Sequence, residues 1–170
     1  MHAFQIALLT VFPALAIVAA LKDVTSYTIP NWISLALLAA FVPAAVVSGA
    51  PLAVLGLCLA TGFGALLLGM GMFAAGWIGG GDAKLFAASA LWIGWPGAVP
   101  FMLATGLAGG ALTMVILALR SGWLEPVLAG SPAWLRRLGT QGGDLPYGVA
   151  IAIGALATFP DGALASAILR

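Results

Sequence analysis

Gly76-Trp77-Ile78-Gly79-Gly80-Gly81-Asp82-Ala83-Lys84-Leu85 sets an aspartate and a lysine beside three consecutive glycines, between two long apolar runs. The chain has only five acidic residues among 170, so a carboxylate in this setting carries weight. An ionisable side chain at or near membrane depth costs several kcal/mol to desolvate and marks a functional site by default. Glycines beside it let another main chain come close. The pattern Gly-x-Gly-Asp, ending on Asp82, invites a search for a second aspartate, and Asp23 is the candidate.

Composition fixes the class. Hydrophobic residues make up 63% and charged residues 6%, against roughly 25% charged in soluble domains. That much apolar material points to an all-α polytopic membrane protein of about six transmembrane helices, in one domain over residues 1–170. A net charge of +1 excludes nucleic-acid binding driven by electrostatics. Cys58 stands alone in an apolar run and reads as a packing residue.

Working outward from the glycines, residues 3–21 form an uncharged run long enough to cross a ~30 Å hydrocarbon core, with Pro13 inside it. Residues 22–31 read as a polar connector. Pro30 disfavours helix at Ile29, so the second helix starts at Pro30 or Asn31 and continues over 32–47. Residues 52–75 make a third span rich in glycine, with Gly62, Gly64, Gly69, Gly71 and Gly76 available for close packing and Gly76-x-x-x-Gly80 continuing that face. Residues 82–93 allow only a short apolar helix, which places Asp82 and Lys84 inside the membrane boundary. Residues 98–119 form a fifth span with Gly106-x-x-x-Gly110 as a packing face. Residues 120–146 are polar, with Trp123, Leu124, Val127 and Leu128, then Trp134, Leu135 and Leu138, suited to short helices on the membrane surface. A last span covers 147–159, extending past Pro160. Six spans gather Lys22, Lys84, Arg120, Arg136 and Arg137 on one side and leave Arg170 on the other. By the positive-inside rule the first side is cytoplasmic, and both chain ends face out.

Asp23 and Asp82 then share one membrane face. Two neighbouring carboxylates tend to share a proton. The ionised member can act as general base towards water, and the protonated one can polarise a peptide carbonyl and later protonate the leaving amine. Such peptide hydrolysis needs no metal and no cofactor. The plain structural alternative is that Asp82 is a helix N-cap and that Lys22 and Lys84 snorkel. Lys84 otherwise orients substrate or tunes Asp82, and Asn31 either joins the polar cluster or caps its own helix. Asp144, after Gly142-Gly143, is a rival carboxylate in a polar loop where solvation is cheap. Asp161 falls on the opposite face. Ser26 and Ser89, each near a lysine, give a weaker Ser-Lys option.

Lys22-Asp23 followed by Ile29-Pro30-Asn31, then Gly79-Gly80-Gly81-Asp82-Ala83-Lys84-Leu85, then Leu145-Pro146-Tyr147-Gly148, resemble the type IV prepilin peptidase family. The absence of an inserted domain is similar to the short peptidases of tight-adherence (Flp) pilus systems. The resemblance implies an aspartic endopeptidase with Asp23 and Asp82 as the catalytic pair and Gly79, Gly80, Gly81, Lys84 and Asn31 in support. It implies prepilin substrates with a short basic leader and a hydrophobic N-terminal helix, cut at the cytoplasmic face of the bacterial inner membrane. Two departures stand out. Residues 24–28, often basic in the family, read Val-Thr-Ser-Tyr-Thr, and the cysteine-bearing insertion associated with N-methylation is missing, so no methylation is expected. The residues alone also allow a transporter or channel subunit using Asp23 and Asp82 as a proton or cation site, or a structural subunit in which polar side chains only hold helices together.

Overall fold

A helix of fourteen residues, α4 (Gly80–Ile93), is the axis on which the other helices pack. From Asp82 to Ile93 every residue except Lys84 is buried. A helix that is apolar all round belongs in the middle of a bundle. Its alanines at 83, 87, 88 and 90 keep the cylinder narrow, while Leu85, Phe86, Leu91, Trp92 and Ile93 fill the space between its neighbours.

The computed structural model describes residues 2–121, 130–140 and 145–169. Around α4 stand α1 (His2–Ser26), α2 (Asn31–Ser48), α3 (Leu52–Ala74), α5 (Ala98–Arg120) and α7 (Tyr147–Thr158). A single 3-10 turn at Phe159–Asp161 joins α7 to α8 (Ala163–Leu169), and the small α6 (Ala133–Leu138) lies between α5 and α7 in sequence. Among the described residues there is no strand. Five segments of the described residues are long and apolar enough to cross a membrane, α7 and α8 counting as one. The chain is a polytopic α-helical membrane protein.

Helix α4 is not among these five, being only about 21 Å long at ~1.5 Å per residue. It begins beside Asp23 and ends at Gly94, which packs against Cys58 and Ala163. The next residue, Trp95, lines a cavity with Ser48, Pro51 and Ser166 at the far end of the bundle. A buried helix need not match the bilayer thickness, because its ends meet protein rather than lipid.

Aromatic rings fix this centre. Phe12 of α1 stacks on Phe159 with ring centroids 4.5 Å apart, and lies 5.5 Å from Trp92. Phe41 of α2 meets Trp92 edge-on at 5.9 Å. The Trp92 indole N–H donates to the Leu37 carbonyl at 2.9 Å, so the one polar atom of that side chain is satisfied.

Several boundaries differ from the sequence reading, each for a local reason. Helix α1 runs on to Ser26, taking Lys22 and Asp23 out of the connector. Thr25 and Ser26 hydroxyls donate to the Leu21 and Lys22 carbonyls at 2.6 and 2.7 Å and carry the helix on. It stops at Tyr27, whose φ is +51°. Helix α4 starts at Gly80, so Asp82 is the third helical residue and Gly79 occupies the cap position that the plain structural alternative gave to Asp82. On α3 only part of the glycine face is used: Gly62 lies against Leu91 and Gly69 against Ala83, while Gly64 and Gly71 face open space. Gly76 falls beyond the helix in a turn with φ +74°. On α5 the packing glycine is Gly109, against Tyr147, whereas Gly106 and Gly110 face open space. Of the surface segments, α6 forms as expected, with Leu138 buried, Arg136 and Arg137 exposed, and Arg120 Nε donating to the Leu138 carbonyl at 3.0 Å. Trp123, Leu124, Val127 and Leu128 lie outside the described residues.

Trp92→Ala should cost about 3–5 kcal/mol, the range for removing a buried large aromatic. Trp32→Ala on the outer surface should stay within ~0.5 kcal/mol. Unfolding of the purified protein by sodium dodecyl sulfate, followed by circular dichroism, reads both.

Candidate active site

Asp23 and Asp82 come from helices far apart in sequence and line one cavity of about 390 Å³. Asp23 sits one turn before the end of α1, and Asp82 one turn into α4. Their residual exposures are 4% and 7%, so neither charge is solvated by bulk water. The remaining wall comes from Tyr27, the 76–79 turn, Leu145 and Tyr147.

Buried carboxylates need donors, and the backbone supplies them. The Gly148 N–H, in the first turn of α7, donates to Asp23 Oδ2 at 2.7 Å. The Gly79 N–H donates to Asp82 Oδ2 at 2.9 Å, closing the first turn of α4 on its own side chain. Each carboxylate therefore sits on helix-terminal amides, where unsatisfied N–H groups and the helix dipole favour negative charge. The two carboxylates line the same cavity, each on its own backbone donor. Oδ1 of Asp82 is buried with no hydrogen-bond partner among the described residues.

Two glycines make this approach possible. A Cβ at Gly148 would lie 2.8 Å from Asp23 Oδ2 and 2.6 Å from Ile29 Cδ1. A Cβ at Gly81 would lie 3.0 Å from Ile29 Cβ and 3.1 Å from the Ile29 carbonyl. Ile29 thus wedges between α4 and α7, and neither helix tolerates a side chain where it touches that residue.

The supporting residues expected from sequence divide into two groups. Gly79 lines the cavity, and Gly81 sets the spacing of α4 from Ile29, whereas Gly80 packs on the Phe73 ring. Lys84 and Asn31 do not reach the cavity. Lys84 Nζ donates to Asn31 Oδ1 at 2.8 Å, and both border a separate groove between α2 and α3. Two residues along a helix are ~200° apart in direction, which turns Lys84 away from Asp82. Asp144 lies outside the described residues. The Ser-Lys option finds no pair: Ser26 Oγ donates to main chain, and Ser89 Oγ is fully buried without a partner.

Sequence reasoning missed Tyr27, Trp77 and the Gly148 amide as parts of the site. Only the Leu145-Pro146-Tyr147-Gly148 motif signalled the last of these. Among the described residues, no cluster of three or more His, Cys, Asp or Glu side chains is placed to hold a metal ion.

A buried pair of aspartates on helix N-termini, in a bundle of membrane-crossing helices, defines a membrane protein with a carboxylate-lined polar site. Residues 10–114 match the type IV leader peptidase family, and the chain belongs to that family. The matched stretch contains both Asp23 and Asp82 and ends before Gly148. No curated protein and no solved structure matches the chain. Membership makes the protein a peptidase with a role in processing prepilin leaders.

Gly148→Ala should push the Asp23 carboxylate off its amide. A misplacement of ~1 Å at a reacting group costs on the order of 100-fold in rate. Leader cleavage should fall by about that factor with helical content unchanged, while Gly106→Ala, which faces open space, should cleave normally.

Proposed function

We propose that the chain is an aspartic endopeptidase that removes the leader of Flp-like type IV prepilins, with Asp23 and Asp82 as the catalytic pair. Residues 1–170 act as one membrane-embedded peptidase domain. One observation carries this reading: in a chain of the leader peptidase family, two buried carboxylates from α1 and α4 meet on a single cavity.

The chemistry follows from one shared proton. The ionised carboxylate takes a proton from a water molecule as the water oxygen attacks the scissile carbonyl carbon. The protonated partner donates a hydrogen bond to the carbonyl oxygen, where negative charge develops. Collapse of the tetrahedral intermediate breaks the C–N bond, and the proton taken from water passes to the leaving amine. Water is consumed, one carboxyl and one amine are formed, and the pair returns to its starting protonation. The amides of Gly148 and Gly79 hold the two carboxylates in place through these transfers, so little of the site need reorganise.

The site opens at the bundle end that carries Lys22, Lys84, Arg120, Arg136 and Arg137, which supports a cytoplasmic active site in a bacterial inner membrane. The rim bears Trp77, 71% exposed, and Tyr147, amphipathic rings suited to the membrane–water boundary. A substrate anchored by an apolar helix would present its leader junction at that level. Family membership favours hydrolysis over a proton or cation pathway through the same two aspartates.

Asp23→Asn and Asp82→Asn keep the shape of each side chain and remove its charge and its acidic proton. Each should reduce leader cleavage by roughly 10⁴-fold or more, and the double change should add little, because residues acting as one unit are not additive. Protein abundance should hold, since neutralising a buried charge does not by itself destabilise. The assay is the mass of purified leader-bearing pilin after incubation; normal cleavage by a well-expressed Asp82→Asn protein would return the pair to a non-catalytic role.

Reporter fusions test the sidedness independently. Fusions after Ser48 and Pro96 should report the outer side, and one after Gly139 the cytoplasm. A cytoplasmic signal from either of the first two overturns the orientation.

A further inference from the structure

The face of α4 opposite Asp82 opens to the outside of the bundle. Helices α2 and α3 both pack on α4 but share no extensive contact with each other. Between them runs a groove of about 560 Å³, floored by Ala87, Ala88 and Leu91 and walled by apolar side chains such as Leu35, Leu38 and Phe63. At one end stand Lys84 and Asn31. Asn31 is the first residue of a membrane-crossing helix, so this polar end lies at the bilayer boundary. The Lys84 amine has a neutral partner, the side-chain amide oxygen (Oδ1) of Asn31, and no carboxylate among the described residues.

We propose that this groove is a binding site for an anionic phospholipid, its acyl chain lying along the alanine floor and its phosphate on the Lys84 amine beside Asn31. Charge complementarity selects the headgroup: a cation without a counter-ion, at the level of lipid phosphates, over an apolar slot. The groove shares no lining residue with the aspartate cavity, so its occupant need not be the peptide being cut.

The test places the full chain in phosphatidylcholine vesicles containing a trace of photoreactive phosphatidylglycerol or photoreactive phosphatidylcholine, and reads cross-linked lipid by intact-protein mass spectrometry and peptide mapping. One favourable charge contact with an anionic lipid is worth ~1 kcal/mol, so phosphatidylglycerol should label about fivefold more than phosphatidylcholine, on peptides of α2 and α3. Lys84→Met should abolish the preference and Lys84→Arg should keep it. Leu35→Trp, at an exposed wall position that needs no repacking, should lower labelling by both lipids. Asp82→Asn should leave the preference unchanged, which separates this site from the peptidase reading. Equal labelling by the two lipids, a preference that survives Lys84→Met, or displacement of the lipid by the apolar segment of an added prepilin would each overturn the proposal.

Discussion

Two carboxylates out of reach of bulk water need donors that do not move, and the bundle is arranged to supply them. Water removed from an ionised carboxylate leaves a penalty of several kcal/mol unless hydrogen bonds replace it. Asp23 receives the amide of Gly148 and Asp82 that of Gly79. Both donors are helix-terminal groups that lack an intrahelical partner in any case, so the site uses N–H groups that would otherwise face solvent. The arrangement constrains the chain in turn. Helix α7 must begin where α1 ends, and Ile29 must thread between α4 and α7. Gly81 and Gly148 are the positions where a Cβ would meet that residue.

The shortness of α4 follows from the same need. A helix long enough to span the full ~30 Å core by itself would carry its first turn out of the ring of neighbouring helices and into water. Fourteen residues keep Asp82 within the ring of longer helices, and the cost of a short span disappears because α4 is packed on nearly every side. The aromatic cluster of Phe12, Phe41, Trp92 and Phe159 secures the opposite half of the helix. One end of α4 is thus polar and held by amides, and the other is apolar and held by rings.

Much of this was legible beforehand, because it rests on patterns that composition and spacing preserve. Uncharged runs gave the long spans, Pro30 gave the start of α2, and the rarity of acidic residues singled out Asp82 and, through it, Asp23. Less legible was anything decided by direction around a helix. Asp82 and Lys84 stand two residues apart within one motif, yet the helix sends them to opposite sides, one to the cavity and one to an outer groove. Periodicity contains that information, but only once α4 is known to begin at Gly80 rather than at Asp82. The Gly148 donor was hidden for a different reason: a backbone N–H belongs to every residue but proline, and nothing in a side chain announces which one will matter. The extension of α1 past Lys22 was hidden too, because Thr25 and Ser26 suit a turn as well as a back-bonded helix end.

The peripheral position of α3 has a consequence for the site. Among the described residues α3 makes its extensive contacts with α4 alone, through Gly62 on Leu91 and Gly69 on Ala83. It leads directly into the turn at Gly76–Gly79, which forms one wall of the aspartate cavity and carries the N–H that holds Asp82. Whatever fixes the lateral seat of α3 on α4 therefore also fixes that wall. With a groove on each side of α3, its seat depends on those two glycine contacts and on what fills the grooves. The geometry of Asp82 is in this way tied to the packing of a helix that contributes no side chain to the cavity.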